Sequence, residues 1–126
     1  MTTRYLELDD LLGLADQLDV GPVVDVGLLD AAAHRPRTWV GGRDAYPAVE
    51  EKAAVLLESI TRSHPLVDGN KRLGWLATVT FCWINGWVVD GPDDEVYDLV
   101  VHVATGSMPY AVGARRLAGW LSPRDG

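Results

Sequence analysis

His64-Pro65-Leu66-Val67-Asp68-Gly69-Asn70-Lys71-Arg72 runs without a break into Leu73-Gly74-Trp75-Leu76-Ala77-Thr78-Val79-Thr80-Phe81-Cys82-Trp83-Ile84. The second half decides the fold. After its first turn it is apolar on nearly every helical face, so the sequence predicts a central helix, about residues 70–84, buried on all sides. Asn85-Gly86 ends it, with Gly86 suited to a left-handed cap. The first half carries the chemistry. It is a Gly-containing connector that enters a helix N-terminus, where unpaired N–H groups favour an anion. Lys71 and Arg72 in the first helical turn oppose the positive end of the helix dipole, and a bound polyphosphate resolves that conflict. Asp68 offers a hard oxygen for Mg²⁺, a cation that keeps most of its waters. His64 carries an imidazole, the side chain most often used to take a proton from an attacking hydroxyl.

Outward from this stretch, apolar periodicity predicts further helices. Leu8, Leu11, Leu12, Ala15 and Leu18 mark one over 8–18. After Gly21-Pro22, Asp25 caps a second over 26–34, stopped by Pro36. Residues 36–46 form a breaker-rich loop. Pro47 opens a third helix to about Ser63, with Val49, Ala53, Leu56 and Ile60 inward and Glu50, Glu51 and Glu58 off that stripe. Residues 87–89 are extended, Asp93 caps a helix through Thr105, and a last helix covers 111–121. The expected fold is an all-α, six-helix bundle with little or no sheet, one domain over 1–126. Four of the five tryptophans are read as mostly core, with Trp39 in the loop as the exception.

Composition excludes several functions. Apolar residues make up 48% of the chain, enough for a core. Eighteen acids against 11 Lys and Arg give a net charge of −7, the reverse of a nucleic-acid binder's field. Cys82 is alone in an apolar run, so neither a disulfide nor a cysteine metal cluster is expected. The three histidines lack zinc-motif spacing; His34 reads as a helix-end partner and His102 as surface. Arg115-Arg116 reads as a solvated face. The longest apolar run is shorter than the roughly 20 residues of a membrane span, and the first residues lack a signal-peptide pattern, so a cytoplasmic protein is expected. Neither a Walker loop nor protein-kinase signatures are present.

The segment 64–72 resembles the Doc (death-on-curing) signature of the Fic/Doc family, His-x-Phe-x-Asp-(Gly/Ala)-Asn-Lys-Arg, departing only at Leu66, where the family has a packing Phe. Gly42, Tyr46-Pro47, Glu50-Glu51-Lys52-Ala53-Ala54, Phe81, Asn85-Gly86 and Ala104-Thr105-Gly106 look like further family landmarks. The wider Fic pattern has Gly where Lys71 stands and a second Arg where Trp75 stands, which puts this chain on the Doc side. The resemblance implies that His64 is the general base toward a Ser or Thr hydroxyl and that Asp68 binds Mg²⁺. It implies that Gly69, Asn70, Lys71 and Arg72 hold phosphate, and that residues 38–46 form a flap docking a target segment by strand addition, where the residues by themselves read equally as an ordinary mobile loop. It further implies a toxin that uses ATP to phosphorylate elongation factor Tu and is silenced by a small Phd-like antitoxin over the active-site groove. Two other outcomes stay open here: AMP transfer as in the main Fic branch, and a non-catalytic antitoxin-binding module. Retention of His64, Asp68 and Arg72 argues against the latter.

Overall fold

The computed structural model describes residues 2–125. Its elements are α1 (Leu8–Leu18), α2 (Val26–His34), a 3₁₀ turn (Arg35–Arg37), β1 (Trp39–Val40), β2 (Arg43–Asp44), α3 (Val49–Ser63), α4 (Asn70–Ile84), β3 (Trp87–Val89), α5 (Asp93–Thr105), α6 (Tyr110–Ala118) and β4 (Leu121–Pro123). The six helices expected from the periodicity form, and local chemistry explains their ends. The Asp25 carboxylate accepts from the Leu28 N–H at 3.0 Å and starts α2. The Ala48 N–H donates to the Glu51 carboxylate at 3.0 Å and starts α3, so Pro47 lies just outside the helix. Gly106, at φ +83°, closes α5.

The helices share one apolar cluster that includes Leu11, Leu29, Leu56, Leu57, Ile60, Leu73, Phe81, Leu99 and Leu117. Burying each such side chain contributes about 1.5–3 kcal/mol. α4 lies between α1 and α3. Gly74 lets α4 approach α3 closely: a Cβ there would come within 2.9 Å of Thr61 Cγ2 and 3.1 Å of Leu57 Cδ1.

Complete burial of α4 is corrected. It buries Leu73, Gly74, Ala77, Thr78, Phe81 and Cys82, while Trp75, Leu76 and Val79 stay half-covered and Trp83 is 50% exposed. The more enclosed helix is α3, buried from Lys52 to Glu58 because α2, α4, α5 and α6 all pack on it. Glu58, expected to face solvent, is buried there against Arg35, 2.7 Å away. The tryptophans are not core. Trp75, Trp87 and Trp120 are partly buried, and Trp83 lies under the Arg124 guanidinium, 5.0 Å from its ring.

Two small antiparallel pairs add sheet that helical periodicity does not reveal. β3 pairs with β4, Val88 opposite Ser122. Leu121 is therefore a strand residue, and α6 ends at Ala118 rather than 121. Inside the 36–46 loop, β1 and β2 form a hairpin with Trp39 opposite Asp44 and Val40 opposite Arg43. Its turn, Gly41-Gly42, has φ of +59° and +80°, the geometry that two-residue hairpins require.

Candidate functional site

The site is built where α3 ends and α4 begins. His64 is the C-cap of α3 and adopts the left-handed conformation, φ +53° and ψ +57°. Histidine is among the side chains that enter this region more readily than most. The chain thereby leaves the helix axis at once, and the imidazole is exposed. Pro65 and Leu66 turn inward and are buried; Val67 and Asp68 are exposed. Gly69, at φ +89°, then caps α4.

Two devices fix this loop. The first is the Asn70 side chain, which accepts from the Leu66 N–H and donates to the Leu66 carbonyl, both at 3.0 Å. The amide expected to hold phosphate is thus engaged with the loop backbone, which leaves the Asn70 N–H for a ligand. The second is the stretch between α1 and α2. The Gly21 N–H donates to the Asp68 carbonyl at 3.2 Å, Val67 N–H to the Pro22 carbonyl at 3.0 Å, and Val24 N–H to the Pro65 carbonyl at 2.8 Å. Val23 and Leu66 form an isolated antiparallel bridge. Sequence reading takes Gly21-Pro22 only as a breaker, since a pairing partner more than forty residues away leaves no local signal.

The result is a polar depression of about 380 Å³ lined by Thr61, His64, Val67 and the run Asp68-Gly69-Asn70-Lys71-Arg72. It brings together every site residue that the sequence proposes. Among the described residues, the side chains of His64, Asp68, Lys71 and Arg72 make neither an ion pair nor a hydrogen bond within the chain, so all four are uncommitted. The first helical bond of α4 is donated by Leu73 to the Gly69 carbonyl, so the N–H groups of Asn70, Lys71 and Arg72 are open. No acid balances the two cations of that first turn. Each cation there is unfavourable by about 0.3–1 kcal/mol, and an anion reverses the sign. No group of three or more His, Cys, Asp or Glu side chains suited to a metal occurs among the described residues. Asp68 therefore offers a single carboxylate, which fits Mg²⁺ carried chiefly by phosphate oxygens and water and does not fit a dedicated protein cage.

Trp75 lies one helical turn on and lines a different cavity. That groove, about 660 Å³, runs along α4 and α5 beside Leu18, Leu76, Val79, Val96 and Tyr97. Lys71 and Arg72 stand at the border of both cavities. Cys82 lies outside the site; burial pushes its thiol up to about 12, with a smaller push from the Glu50 charge, so it is not a nucleophile. His34 and His102 lie outside it as well, each beside an aspartate one turn earlier, Asp30 and Asp98.

The site thus joins a histidine-bearing loop to the open N-terminus of a partly buried helix, with one carboxylate and two cations beside it. The Fic/DOC family pattern matches residues 5–82, which include the loop and almost all of α4. "Toxin Doc" of Mycolicibacterium smegmatis (strain ATCC 700084 / mc(2)155) is 46% identical over 125 residues, 95% of each chain. The chain belongs to the Fic/Doc family and is a toxin of the Doc type. This family generally transfers nucleotide or phosphate groups to proteins. None of the described helices is long and apolar enough to cross a membrane.

Proposed function

We propose that this chain is the toxin of a toxin–antitoxin pair, a protein kinase that moves the γ-phosphate of ATP to a Ser or Thr hydroxyl of a translation factor similar to elongation factor Tu. The observation that carries this reading is the exposed, uncommitted His64 sharing one depression with Asp68, Lys71, Arg72 and an open helix N-terminus. His64 accepts the proton of the target hydroxyl as its oxygen attacks the γ-phosphorus in line, and ADP leaves. The N–H groups of Asn70, Lys71 and Arg72 orient the transferred group, and the Lys71 and Arg72 cations neutralise its charge. Mg²⁺ bound at Asp68 would supply further charge neutralisation on the phosphate oxygens. The exposed hairpin of β1 and β2 is the edge on which a target segment docks by strand addition.

The choice of γ- over α-phosphate follows from positions 71 and 75. Lys71 puts bulk and charge where a glycine would admit a nucleotide's backbone-hugging pose, and Trp75 belongs to the apolar groove and cannot grip phosphate. Incubation with bacterial lysate, Mg²⁺ and ATP labelled at either phosphate tests this. Label from γ is expected on the target, with a mass gain of about 80 Da; a gain of about 329 Da, that of AMP, refutes the kinase assignment.

The apolar groove supports a Phd-like antitoxin as the silencing partner. A segment that seats apolar side chains beside Trp75, Leu76 and Val96 and an acidic group at Lys71 and Arg72 would cover the site edge in one contact. We assign the chain to the cytoplasm, where such a target resides.

A further inference from the structure

The hairpin that the proposed docking step uses has almost nothing of its own to hold it. All four strand residues are exposed, Trp39 and Val40 at 68% and 67%. An isolated two-stranded hairpin is marginally stable in water. Its orientation must therefore be imposed from below, and the residue placed to impose it is Lys52, on α3.

Lys52 is 1% exposed, one of the largest fully buried side chains of the chain. Its Nζ donates to the Pro36 carbonyl and to Asp44 Oδ2, each at 3.3 Å, and lies 5.5 Å from the centre of the Tyr5 ring. Three donors of one ammonium thus face two oxygens and a π surface. Pro36 belongs to the 3₁₀ turn that leads into the hairpin, and Asp44 is the last residue of its second strand. One cation grips both legs. The legs are closed above it by the Ala45 N–H on the Thr38 carbonyl at 2.9 Å. The entering leg is held further by Arg37, which pairs with Glu7 at 2.8 Å and lies 4.7 Å over the same Tyr5 ring. A buried ammonium adds little net stability compared with an apolar residue of equal volume, so stability alone does not account for a lysine at this place.

We propose that Lys52 is a positioning residue: from inside the core it sets the angle of the β1–β2 hairpin, with Asp44 as its counterpart on the hairpin, and so prepares the edge that receives the protein substrate. This rests on the hairpin being the docking edge. A preordered edge spares the ordering cost at the moment of binding, so its loss raises KM for the protein substrate and leaves kcat nearly unmoved.

The test compares amide hydrogen exchange and kinetics in wild type, Lys52→Met and Asp44→Asn. Lys52→Met keeps the length and removes the charge. Amides of residues 39–45 are expected to exchange about a hundredfold faster, with α5 and α6 unchanged, as loss of one partner of a buried pair implies. Asp44→Asn, at a half-exposed residue, releases one leg only and is expected to give a smaller acceleration in the same amides; it decides the matter if Lys52→Met does not fold. With purified elongation factor Tu and γ-labelled ATP, KM for the protein should rise about tenfold or more while kcat stays within about threefold. Wild-type exchange at 39–45 in both variants overturns the proposal, as does a fall in kcat with KM unmoved. A wild type that labels no elongation factor Tu refutes the kinase reading, and the exchange comparison still judges Lys52.

Discussion

Replacing Gly69 by alanine should unfasten the site from the fold. Gly69 has φ +89° and ψ +15°. A side chain in the left-handed region costs about 1–2 kcal/mol. The added Cβ would also lie 2.5 Å from both Cβ and Cγ1 of Val20 and 3.3 Å from its Cγ2. A Cβ cannot swing aside as a side-chain tip can, so the backbone at Val20 must move. Overpacking of that kind costs about 1–3 kcal/mol. The sum is about 2–5 kcal/mol, or a fall in melting temperature of about 8–20 °C for a chain of this size. Urea unfolding with an unchanged m-value measures it. Val20→Gly removes all three clashing atoms and leaves the φ strain. The double variant should therefore recover a coupling energy of about 1–3 kcal/mol relative to the two single changes. A loss below about 1 kcal/mol in Gly69→Ala, or additive effects in the double variant, would refute the packing argument. Because Gly21 donates to the Asp68 carbonyl right beside this contact, Gly69→Ala should also lower transfer activity before it lowers the folded fraction.

His64→Ala should abolish growth inhibition while the protein stays folded, since the imidazole is exposed and loss of a general base costs about 10²–10⁴-fold in rate; full toxicity of a well-expressed variant would sink the mechanism. Cys82 should resist alkylation in the native protein at pH 8, because burial holds its thiol at about 12. From about pH 9, where the unfolded chain's thiol ionises, toward pH 12 the folded thiol keeps its proton and stability should fall; urea unfolding of Cys82→Ala against pH should show a shallower decline than wild type. Binding of a cognate antitoxin should protect amides around 64–76 from exchange, and protection confined to the outer faces of α5 and α6 would show that the apolar groove is not its seat.

Where local chemistry dominates, the sequence is readable to the residue. α1, α2 and β3 lie where the apolar periods and the Asp25 cap place them, and α5 stops at Gly106 as expected, although it begins at Asp93 itself with Pro92, not Asp93, at the cap. The site residues His64 to Arg72 are contiguous, so their meeting in one depression follows from a single turn between two helices. What could not be read depends on partners distant in sequence. Glu58 is buried because Arg35 reaches it from 23 residues away, and Lys52 because Pro36 and Asp44 supply oxygens under the hairpin. Leu121 continues the apolar period of α6 yet is drawn into a strand by Val89. The apolar outer face of α4 looks like core because composition does not tell a buried face from an open groove.

Asn85 closes the molecule on itself: its side chain accepts from the Arg4 N–H at 2.8 Å and donates to the Arg4 carbonyl at 2.9 Å, across 81 residues of chain. Such a contact forms only after most of the chain exists, and its loop-closure cost places it late in folding. During synthesis α1 can coil as soon as it emerges, but its N-terminal neighbour has no anchor until residue 85 has left the ribosome. The loop at 64–72 emerges before that anchor, and α5, α6 and β4, which pack on α3 and pair with β3, emerge after it. A chain truncated before residue 85 would carry the whole 64–72 loop but lack the Asn85 side chain that ties down the backbone at Arg4.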